Sequence, residues 1–252
     1  MSFNIRFDNP ADGEDRWELR KEELCDLIIR QKPDFLGLQE SLPTQVEFIQ
    51  GKLKGYMSIG FGRDGEGTTS ESTPLFYRSE HYELLKKEVF WMSETPSVPS
   101  KGWDAALNRI TTYGVFRDRQ SKDTIHVFNT HYDHKGEKAR ENSSHLIIAK
   151  IKEWNLTDKK VVLMGDFNSR PGDEPIQILL SSFNDAFVSS NSKSLGPEGT
   201  FNSFDPQMVP DQRIDYIFTL NLHVLSFETI ADKRKNGRWI SDHLPVMAQV
   251  AE

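Results

Sequence analysis

The sequence predicts an α/β fold in which two packed β-sheets carry helices on their outer faces. About eleven short apolar or alternating segments have strand character, which is too many for one doubly wound sheet. Three or four helical segments accompany them, and these lie early and in the middle of the chain. Strands dominate the 80s to 120s and the 210s to 240s, so a second sheet is needed to bury them.

The predicted strands are short and spread along the chain. Phe35–Gln39 and Val161–Met164 are continuous apolar runs, which indicate buried strands, whereas Ile125–His131 alternates in polarity. The other predicted strands are Phe3–Arg6, Tyr56–Gly60, Pro74–Tyr77, Glu83–Trp91, Ile110–Asp118, Arg213–Phe218, His223–Ile230 and Leu244–Val250.

Three helices are predicted from apolar stripes at helical spacing. The first spans Trp17–Lys32 and is ended by Pro33. The second begins near Pro43, and the third spans about Lys135–Trp154. Because each carries its apolar residues on one side, each is expected to cover a face of a sheet.

Three polar segments rich in Gly, Pro or Ser are predicted to be loops. They are Gly60–Ser72, Met92–Asn108 and Ser189–Asn202. Loops of this length are uncommon unless they are functional or mobile, although they could also be plain solvated connections. We find no repeat and no linker, so residues 1–252 are expected to form a single domain.

The composition of the 252 residues is that of a globular protein, with 37% hydrophobic and 27% charged residues. No apolar run reaches the roughly 20 residues that span a bilayer, so no stable membrane insertion is expected. The net charge of −7 argues against tight, nonspecific binding to duplex DNA, but a bound cation could still attract a phosphate. Cys25, the only cysteine, is expected in a helix core.

The N-terminus offers no basic segment followed by an apolar core. The chain begins inside a strand-like alternation, Met1 to Ile5. A cytoplasmic location, or a periplasmic or secreted one after removal of a leader, therefore both stay open. No obligate protein partner is evident.

The segment VVLMGDFNS places chemistry at the end of a buried strand. Asp166 and Asn168 follow Gly165 and have the same parity, so they can point to one side. A carboxylate beside an amide suits a site that holds both a metal and a phosphate. The alternative is an Asx-turn that caps the next segment.

Two more oxygen-bearing side chains occur at strand ends. Glu40 follows the strand of LGLQE, and Mg²⁺ prefers carboxylate oxygens of this kind. Its alternative role is a favourable charge at the start of the next helix. Asn4 lies on the opposite face from Phe3 and Ile5, and it could instead be an edge amide bonded to a neighbouring backbone.

His131 ends an alternating strand in HVFNTHYDH. Asn129 shares its parity and could orient it. Asp133 and His134 are expected to be more exposed and outside the site. A single histidine at such a position is more often structural than catalytic, so that alternative stays open.

Asp215 interrupts the apolar strand of RIDYIF, where a buried carboxylate is costly unless it is paired. Asp242 and His243 follow in SDHLPV and face opposite ways. Asp242 could bind a metal, while His243 could be held by Asp215 and act as a base or stabilise charge. Hard oxygen ligands and histidines, without a nucleophile elbow, Walker loop or zinc spacing, favour metal-assisted hydrolysis at phosphorus.

In their order along the chain, these motifs together resemble the endonuclease/exonuclease/phosphatase superfamily, which includes deoxyribonuclease I-like enzymes. The resemblance runs from SFNIR through GLQE, NTHYDH, GDFNS and RIDYIF to SDHLPV. It implies a four-layer α/β/β/α sandwich of two mixed sheets, deoxyribonuclease I-like. The segments FWMSETP and KGWDAALNRI are similar to a bacterial branch close to the deadenylase-like and nocturnin-like members.

The resemblance also implies roles for the site residues. Mg²⁺ or Mn²⁺ would be bound by Glu40 and Asn4 with Asp242, while Asp166 and Asn168 would position water and phosphate. His243, paired with Asp215, would be the base or a phosphate stabiliser, and His131 the second histidine on the leaving-group side. Arg109 falls where deadenylase-like members have a phosphate-contacting arginine. The alternative is that it is a surface arginine at the start of a strand. The assigned residues are His131, Asp166, Asn168, Asp215 and His243 for catalysis, Arg109, Asn168 and His131 for substrate, and Asn4, Glu40 and Asp242 for metal.

The function predicted in this way is metal-dependent hydrolysis of a phosphate ester, phosphodiesterase- or nuclease-like, by in-line attack of water. The expected substrate is a single-stranded nucleic acid, a nucleotide, a phospholipid head group or a sugar phosphate. The alternatives are a phospholipid or inositol- or sugar-phosphate phosphatase and, less favoured, a non-catalytic phosphate-binding module. Trp91 and Trp103 could wall the pocket and stack on a ring, although core packing is favoured for Trp91.

Overall fold

The computed structural model describes residues 1–251, in which twelve strands form two mixed six-stranded sheets. The first sheet contains β1 (Ser2–Asn4), β2 (Phe35–Gln39), β3 (Tyr56–Ile59), β4 (Leu75–Arg78), β11 (His223–Thr229) and β12 (Val246–Ala251). Its order is β11-β12-β1-β2-β4-β3. The second sheet contains β5 (Tyr82–Trp91), β6 (Ile110–Asp118), β7 (Thr124–His131), β8 (Lys160–Asp166), β9 (Asn184–Asp185) and β10 (Asp215–Leu220). Its order is β5-β6-β7-β8-β10-β9.

The described helices are α1 (Lys21–Gln31), α2 (Pro43–Lys52), α3 (Glu137–Glu153), α4 (Glu174–Leu180) and α5 (Ala186–Ser189), with short 3-10 turns at Pro10–Asp15 and Trp17–Leu19. Lys32 takes a left-handed conformation after α1, and Pro33 prevents the helix from continuing. α2 and α4 each have a proline in their first turn, where a missing N–H costs nothing. None of the helices within residues 1–251 combines the length and apolar composition needed to cross a membrane.

The predicted four-layer α/β/β/α sandwich is confirmed by the distribution of buried side chains. Outward-facing Leu36 and Leu38 of β2 pack with Leu27 of α1, whereas Leu163 of β8 packs with Ile147 of α3. A third apolar cluster fills the space between the two sheets. It includes Leu75, Tyr77, Phe116, Val127, Val162, Met164, Ile217, Val224, Phe227 and Val246. Each fully buried side chain of this size contributes roughly 1.5–3 kcal/mol to folding.

One polar contact joins the two sheets within this apolar layer. Asn129 of β7 donates to the carbonyls of Leu38 and Pro74 and accepts from Gln39. Gly37 allows this approach, since a Cβ there would lie 2.5 Å from the Asn129 side chain. The expectation that Asn129 orients His131 is therefore wrong, because its hydrogen bonds hold β2 and the residue before β4 against β7.

Candidate active site

Polar side chains delivered by strand ends meet at one edge of the two sheets. β1 and β2 run parallel, as do β7 and β8, so their carboxyl ends lie on this edge. β10 and β12 run antiparallel to β8 and β1 and therefore begin there. The residues that line this cleft or lie directly behind it are Asn4, Glu40, His131, Asp166, Asn168, Asp215, Asp242 and His243.

Asp166, Asp215 and His243 form a buried cluster. Asp215 lies opposite Asp166 in the β8–β10 register, and its Oδ2 is 2.8 Å from His243 Nδ1. Nε2 of the same ring lies 3.9 Å from Asp166 Oδ2. Burial opposes charge on this ring, but the Asp215 and Asp166 carboxylates outweigh it and hold the pKa of His243 well above its usual range. Burial, together with the charge of Asp215, also raises the pKa of Asp166.

His131 lies on the other side of Asp166, with Nε2 3.4 Å from Asp166 Oδ2. Its Nδ1 is 3.1 Å from Arg109 Nη1. Because a guanidinium only donates, Nδ1 accepts from Arg109, and the neutral ring carries its proton on Nε2. In this tautomer Nε2 does not accept from Asn168 Nδ2, which lies 3.2 Å away. Burial and then the charge of Arg109 hold the pKa of His131 well below its usual range. The two histidines beside Asp166 therefore have opposite protonation preferences.

Asn168 takes a left-handed conformation, with φ of 47°, that turns its side chain back to β7. Its backbone N–H donates to Asp166 Oδ1 at 2.9 Å, and Nδ2 donates to the Tyr132 carbonyl at 3.0 Å. The bond from the Asn168 N–H to Asp166 Oδ1 is that of an Asx-turn, so the alternative role predicted for this segment is present. The second carboxylate oxygen, Asp166 Oδ2, is not used by the turn and faces His131 and His243. Gly165 permits the turn, because a Cβ there would lie 2.1 Å from the Thr130 carbonyl oxygen.

Asn4 connects two of the carboxylates. Its Nδ2 donates to Glu40 Oε1 at 3.1 Å and to Asp166 Oδ2 at 2.9 Å. Its Oδ1 accepts from the backbone N–H of Arg6. In this arrangement Asn4 orients Glu40 and Asp166 and does not offer its oxygen to the cleft. Its predicted role as a metal ligand stays a prediction.

Glu40 and Asp242 flank the guanidinium of Arg6 on the cleft wall. Arg6 Nη1 lies 3.9 Å from Glu40 Oε2, and Nε lies 3.8 Å from Asp242 Oδ2. Arg6 also donates two hydrogen bonds to the Asp12 carboxylate. The two carboxylates thus border a position that already favours a positive charge.

The donor set of the site fits a divalent cation. Ligand atoms of Asp166, Asp215 and His243 all lie within 4.8 Å of one another, so this buried group could hold a metal ion. Asp215 Oδ1 is buried, and within residues 1–251 it has no hydrogen-bond partner. Glu40 and Asp242 add two more hard oxygen ligands to the same cleft.

Arg109 is neither a surface arginine nor a freely available phosphate ligand. It is 5% exposed, and its Nε donates to Asp133 while Nη1 and Nη2 contact His131 and His134.

Asp133 is 1% exposed, so the expectation that it is exposed is wrong. Asp133 also accepts from the backbone N–H groups of Lys135 and Gly136, and these bonds compensate for its burial. His134 is exposed as expected, yet it lines the cleft.

The cleft has a volume of about 700 Å³, enough for a phosphorylated small molecule. Neither Trp91 nor Trp103 lines it. Trp91 is buried, packs on Phe61 and donates to the Arg63 carbonyl, in agreement with the core role favoured for it. Residues that carry no recognisable sequence motif complete the cleft wall, and most of them lie in loops. They are Arg6, Phe7, Asp12, Arg63, Glu71, Leu107, Phe201, Ser203 and Phe204.

The fold and the site define the class of this protein: a four-layer α/β/β/α sandwich with carboxylate, amide and histidine groups at the common edge of its sheets. Residues 1–243 match the model of the Endonuclease/Exonuclease/phosphatase family. The chain belongs to this family, whose members are phosphoester hydrolases. The resemblance carried by the sequence motifs is therefore confirmed.

Three relatives illustrate the range of similarity. A mannosyl-6-phosphatase of Bacteroides thetaiotaomicron superposes with a TM-score of 0.94 at 33% identity, covering 100% of this chain and 98% of the other. A protein of Acanthamoeba polyphaga mimivirus is 28% identical over 92% of this chain and 91% of its own length. The human nocturnin catalytic domain, at 20% identity and a TM-score of 0.74, covers 98% of this chain and 90% of its own, and shows the fold alone.

Proposed function

We propose that this protein is a metal-dependent phosphate-ester hydrolase that directs water in line at phosphorus. The observation that carries the proposal is the convergence of three side chains on Asp166. Asn4 Nδ2 lies 2.9 Å, His131 Nε2 3.4 Å and His243 Nε2 3.9 Å from Asp166 Oδ2. Placed in this way on the cleft wall, the Asp166 carboxylate can orient a water molecule, and the neighbouring donor groups can bind the phosphate that the water attacks.

Glu40 and Asp242 would hold the divalent cation, with Asn4 fixing the orientation of Glu40. When bound, Mg²⁺ or Mn²⁺ supplies positive charge to nonbridging phosphate oxygens. We favour this pair over the buried Asp-Asp-His group, because Glu40 and Asp242 both line the cleft, whereas Asp215 lies behind it and already bonds His243 Nδ1.

The remaining roles follow from the hydrogen bonds of each group. Asp166 accepts from the attacking water and orients it. Asn168 and the Nε2–H of neutral His131 donate to the phosphate, with Arg109 fixing the tautomer of His131. Charged His243, held by Asp215, stabilises negative charge that develops on the phosphoryl group.

The favoured substrate is a phosphate monoester of a sugar. The support is the similarity, over the whole chain, to a protein named as a mannosyl-6-phosphatase. This reverses the preference for a phosphodiester that the sequence alone suggested. A single-stranded nucleic acid, a nucleotide or a phospholipid head group is the second choice. A non-catalytic binding module is disfavoured because the acid, amide and histidine groups are all present in one cleft.

The test compares p-nitrophenyl phosphate and mannose 6-phosphate with bis-p-nitrophenyl phosphate, each with Mg²⁺, Mn²⁺ or EDTA. We expect metal-dependent release of phosphate from the monoesters and a fall in kcat of about 10²–10⁴-fold in His243→Ala. His145→Ala, which removes an exposed histidine of α3, is the control and is expected to retain full activity.

Turnover that persists in EDTA, or that is unchanged in His243→Ala, would contradict the proposal. Cleavage of the diester alone would return the assignment to a phosphodiesterase. If no ester is cleaved while Glu40→Ala still abolishes metal binding, the protein would be a metal-dependent binding module.

A further inference from the structure

Three guanidinium groups line the cleft, and they differ in how far they are already engaged. Arg6 makes two hydrogen bonds with Asp12 and lies near Glu40 and Asp242. Arg109 uses all three of its nitrogens on Asp133, His131 and His134. Neither group can turn to a ligand without losing contacts that organise the site.

Arg63 is the least engaged of these three guanidinium groups. Among the described residues 1–251, its side chain makes one hydrogen bond, from Nη1 to Glu71 Oε2 at 2.8 Å. The Arg63 side chain is 15% exposed and lines the main cleft. Nε and Nη2 are therefore available to an anion that enters the cleft.

The backbone of Arg63 is fixed although it lies in a long loop. Its N–H donates to the Glu71 carbonyl, and its own carbonyl accepts from the buried Trp91 ring at 2.6 Å. The next residue, Asp64, accepts from Asn108 of the opposite loop. The loop thus holds Arg63 in one place, which limits the entropy lost when it binds a ligand.

Arg63 and Glu71 also lie next to the phosphate-facing groups. A narrow crevice at the side of the cleft is lined by this pair together with Arg109 and His131. The positive charge of Arg63 is among the charges that lower the pKa of His131. Glu71 itself is unfavourably placed, since burial and then the charge of Glu40 raise its pKa against the opposing effect of Arg63.

We propose that Arg63 is the specificity residue that binds the extra nonbridging oxygen of a phosphate monoester, with Glu71 as its counter-ion until substrate arrives. The inference rests on the proposed function. A monoester dianion has three nonbridging oxygens, whereas a diester carries a second ester group in place of one. A guanidinium that faces the position of the third oxygen gains a charged acceptor from a monoester, and it loses that acceptor when an ester group occupies the position.

The test uses two esters with the same leaving group, p-nitrophenyl phosphate and methyl p-nitrophenyl phosphate. In Arg63→Gln we expect kcat/KM for the monoester to fall about 10–100-fold, the range for a lost charge-assisted hydrogen bond. The value for the diester is expected to change by less than about 3-fold. Arg63→Lys keeps the charge but not the planar fork, so its kcat/KM for the monoester is expected to lie between those of the wild type and Arg63→Gln.

A second readout does not depend on turnover. The Kd of inorganic phosphate, measured by calorimetry, should rise about 10–100-fold in Arg63→Gln, while that of dimethyl phosphate should be unchanged. Glu71→Gln should leave phosphate binding intact or tighten it, because a competing anion is removed. Arg117→Gln removes a similar arginine–carboxylate pair, with Glu83, outside the cleft, and serves as the control.

If Arg63→Gln lowers kcat/KM equally for the monoester and the diester, Arg63 is not a specificity residue. If the Kd of inorganic phosphate is unchanged in Arg63→Gln, Arg63 does not contact the phosphate. A wild-type protein that cleaves neither ester would count against the proposed function. In that case the phosphate and dimethyl phosphate affinities would still decide the role of Arg63.

Discussion

At the residue scale, the notable feature is that two histidines beside one carboxylate have opposite protonation preferences. His131 accepts from an arginine that only donates, and its pKa is lowered. His243 donates to Asp215, and its pKa is raised. Neutral His131 and charged His243 can therefore both donate to a phosphate from opposite sides of Asp166, and each keeps its own protonation state.

The sequence could identify most of these residues but not all of their partners. Asp215 and His243 were recognisable because a carboxylate in an apolar strand needs a partner. The contact of Arg109 with His131 was not recognisable, because it joins a strand start to a distant strand end. Arg63 carries no pattern at all, since its position depends on a loop closure involving Trp91.

Asp215→Asn is expected to lower kcat by about 10²–10⁴-fold with little change in KM. The amide keeps the size of the side chain but removes the negative charge that stabilises charged His243. Steady-state kinetics on the monoester would measure the change, and thermal unfolding would check that the variant is folded.

Asp158→Asn is the matched control, because it alters an exposed aspartate outside the cleft. It should retain the kinetic constants of the wild type. A wild-type kcat in Asp215→Asn would show that His243 acts without its carboxylate partner, and the charged-histidine role would have to be abandoned.

At the element scale, most strands and the three longest helices could be predicted from the sequence, and three short elements could not. Phe35–Gln39 and Ile110–Asp118 have the predicted bounds, since several consecutive side chains establish the pattern. β9, α4 and α5 were not predicted. With two, seven and four residues, they are too short for a period to show in the sequence.

The loop before β6 is organised by Asp133 at the end of β7. Its carboxylate accepts from the backbone N–H groups of Ala106, Leu107, Lys135 and Gly136. It thereby connects the 92–108 loop to the start of α3 and holds Arg109 beside His131. Asp104 of the same loop adds a second connection, because its carboxylate accepts from the backbone N–H groups of Lys138 and Ala139.

Asp133→Ala is expected to destabilise the protein by about 3–5 kcal/mol, because it leaves Arg109 buried without its carboxylate. Urea unfolding would measure the loss. Asp118→Ala, which removes a carboxylate that accepts two backbone N–H groups in a surface turn, should cost less than half as much.

The same carboxylate predicts a pH dependence. Burial would raise the pKa of Asp133, but the N–H groups of Gly136, Ala106 and Lys135 and the charge of Arg109 together hold it well below its usual range. Its stabilising contribution is therefore complete above the unfolded-state pKa of about 3.9 and is lost as the pH falls below that value. The stability difference between wild type and Asp133→Asn should shrink below about pH 4. A constant difference down to pH 2 would show that Asp133 does not stabilise the fold through its charge.

At the scale of the whole molecule, the site exists because two sheets end at the same edge. The first sheet supplies Asn4 and Glu40, and the second supplies His131, Asp166 and Asp215. The strand count predicted two sheets, and the family resemblance predicted their layering. The sequence could not show that Asn129 and Gly37 hold the sheets together, because the close approach of a glycine to an amide is a property of the packed structure.

Because carboxylates from both sheets face one cleft, a bound cation should stabilise the whole fold. At a metal concentration about 100 times its Kd, binding to the native state alone adds about 2.7 kcal/mol. For a chain of this size we expect Mg²⁺ or Mn²⁺ to raise Tm by roughly 5–10 °C, and EDTA to reverse the shift. Differential scanning calorimetry would measure both.

Variants would show which carboxylates hold the cation. Glu40→Gln and Asp242→Asn are expected to abolish the metal-dependent rise in Tm, because each removes a proposed ligand. Asp215→Asn is expected to retain it, because Asp215 serves His243 in our proposal. Glu83→Gln, outside the cleft, is the control. The opposite result would be loss of the Tm rise in Asp215→Asn and its retention in Glu40→Gln. That result would assign the cation to the buried group of Asp166, Asp215 and His243. The raised pKa of His243 would then apply only to the metal-free protein.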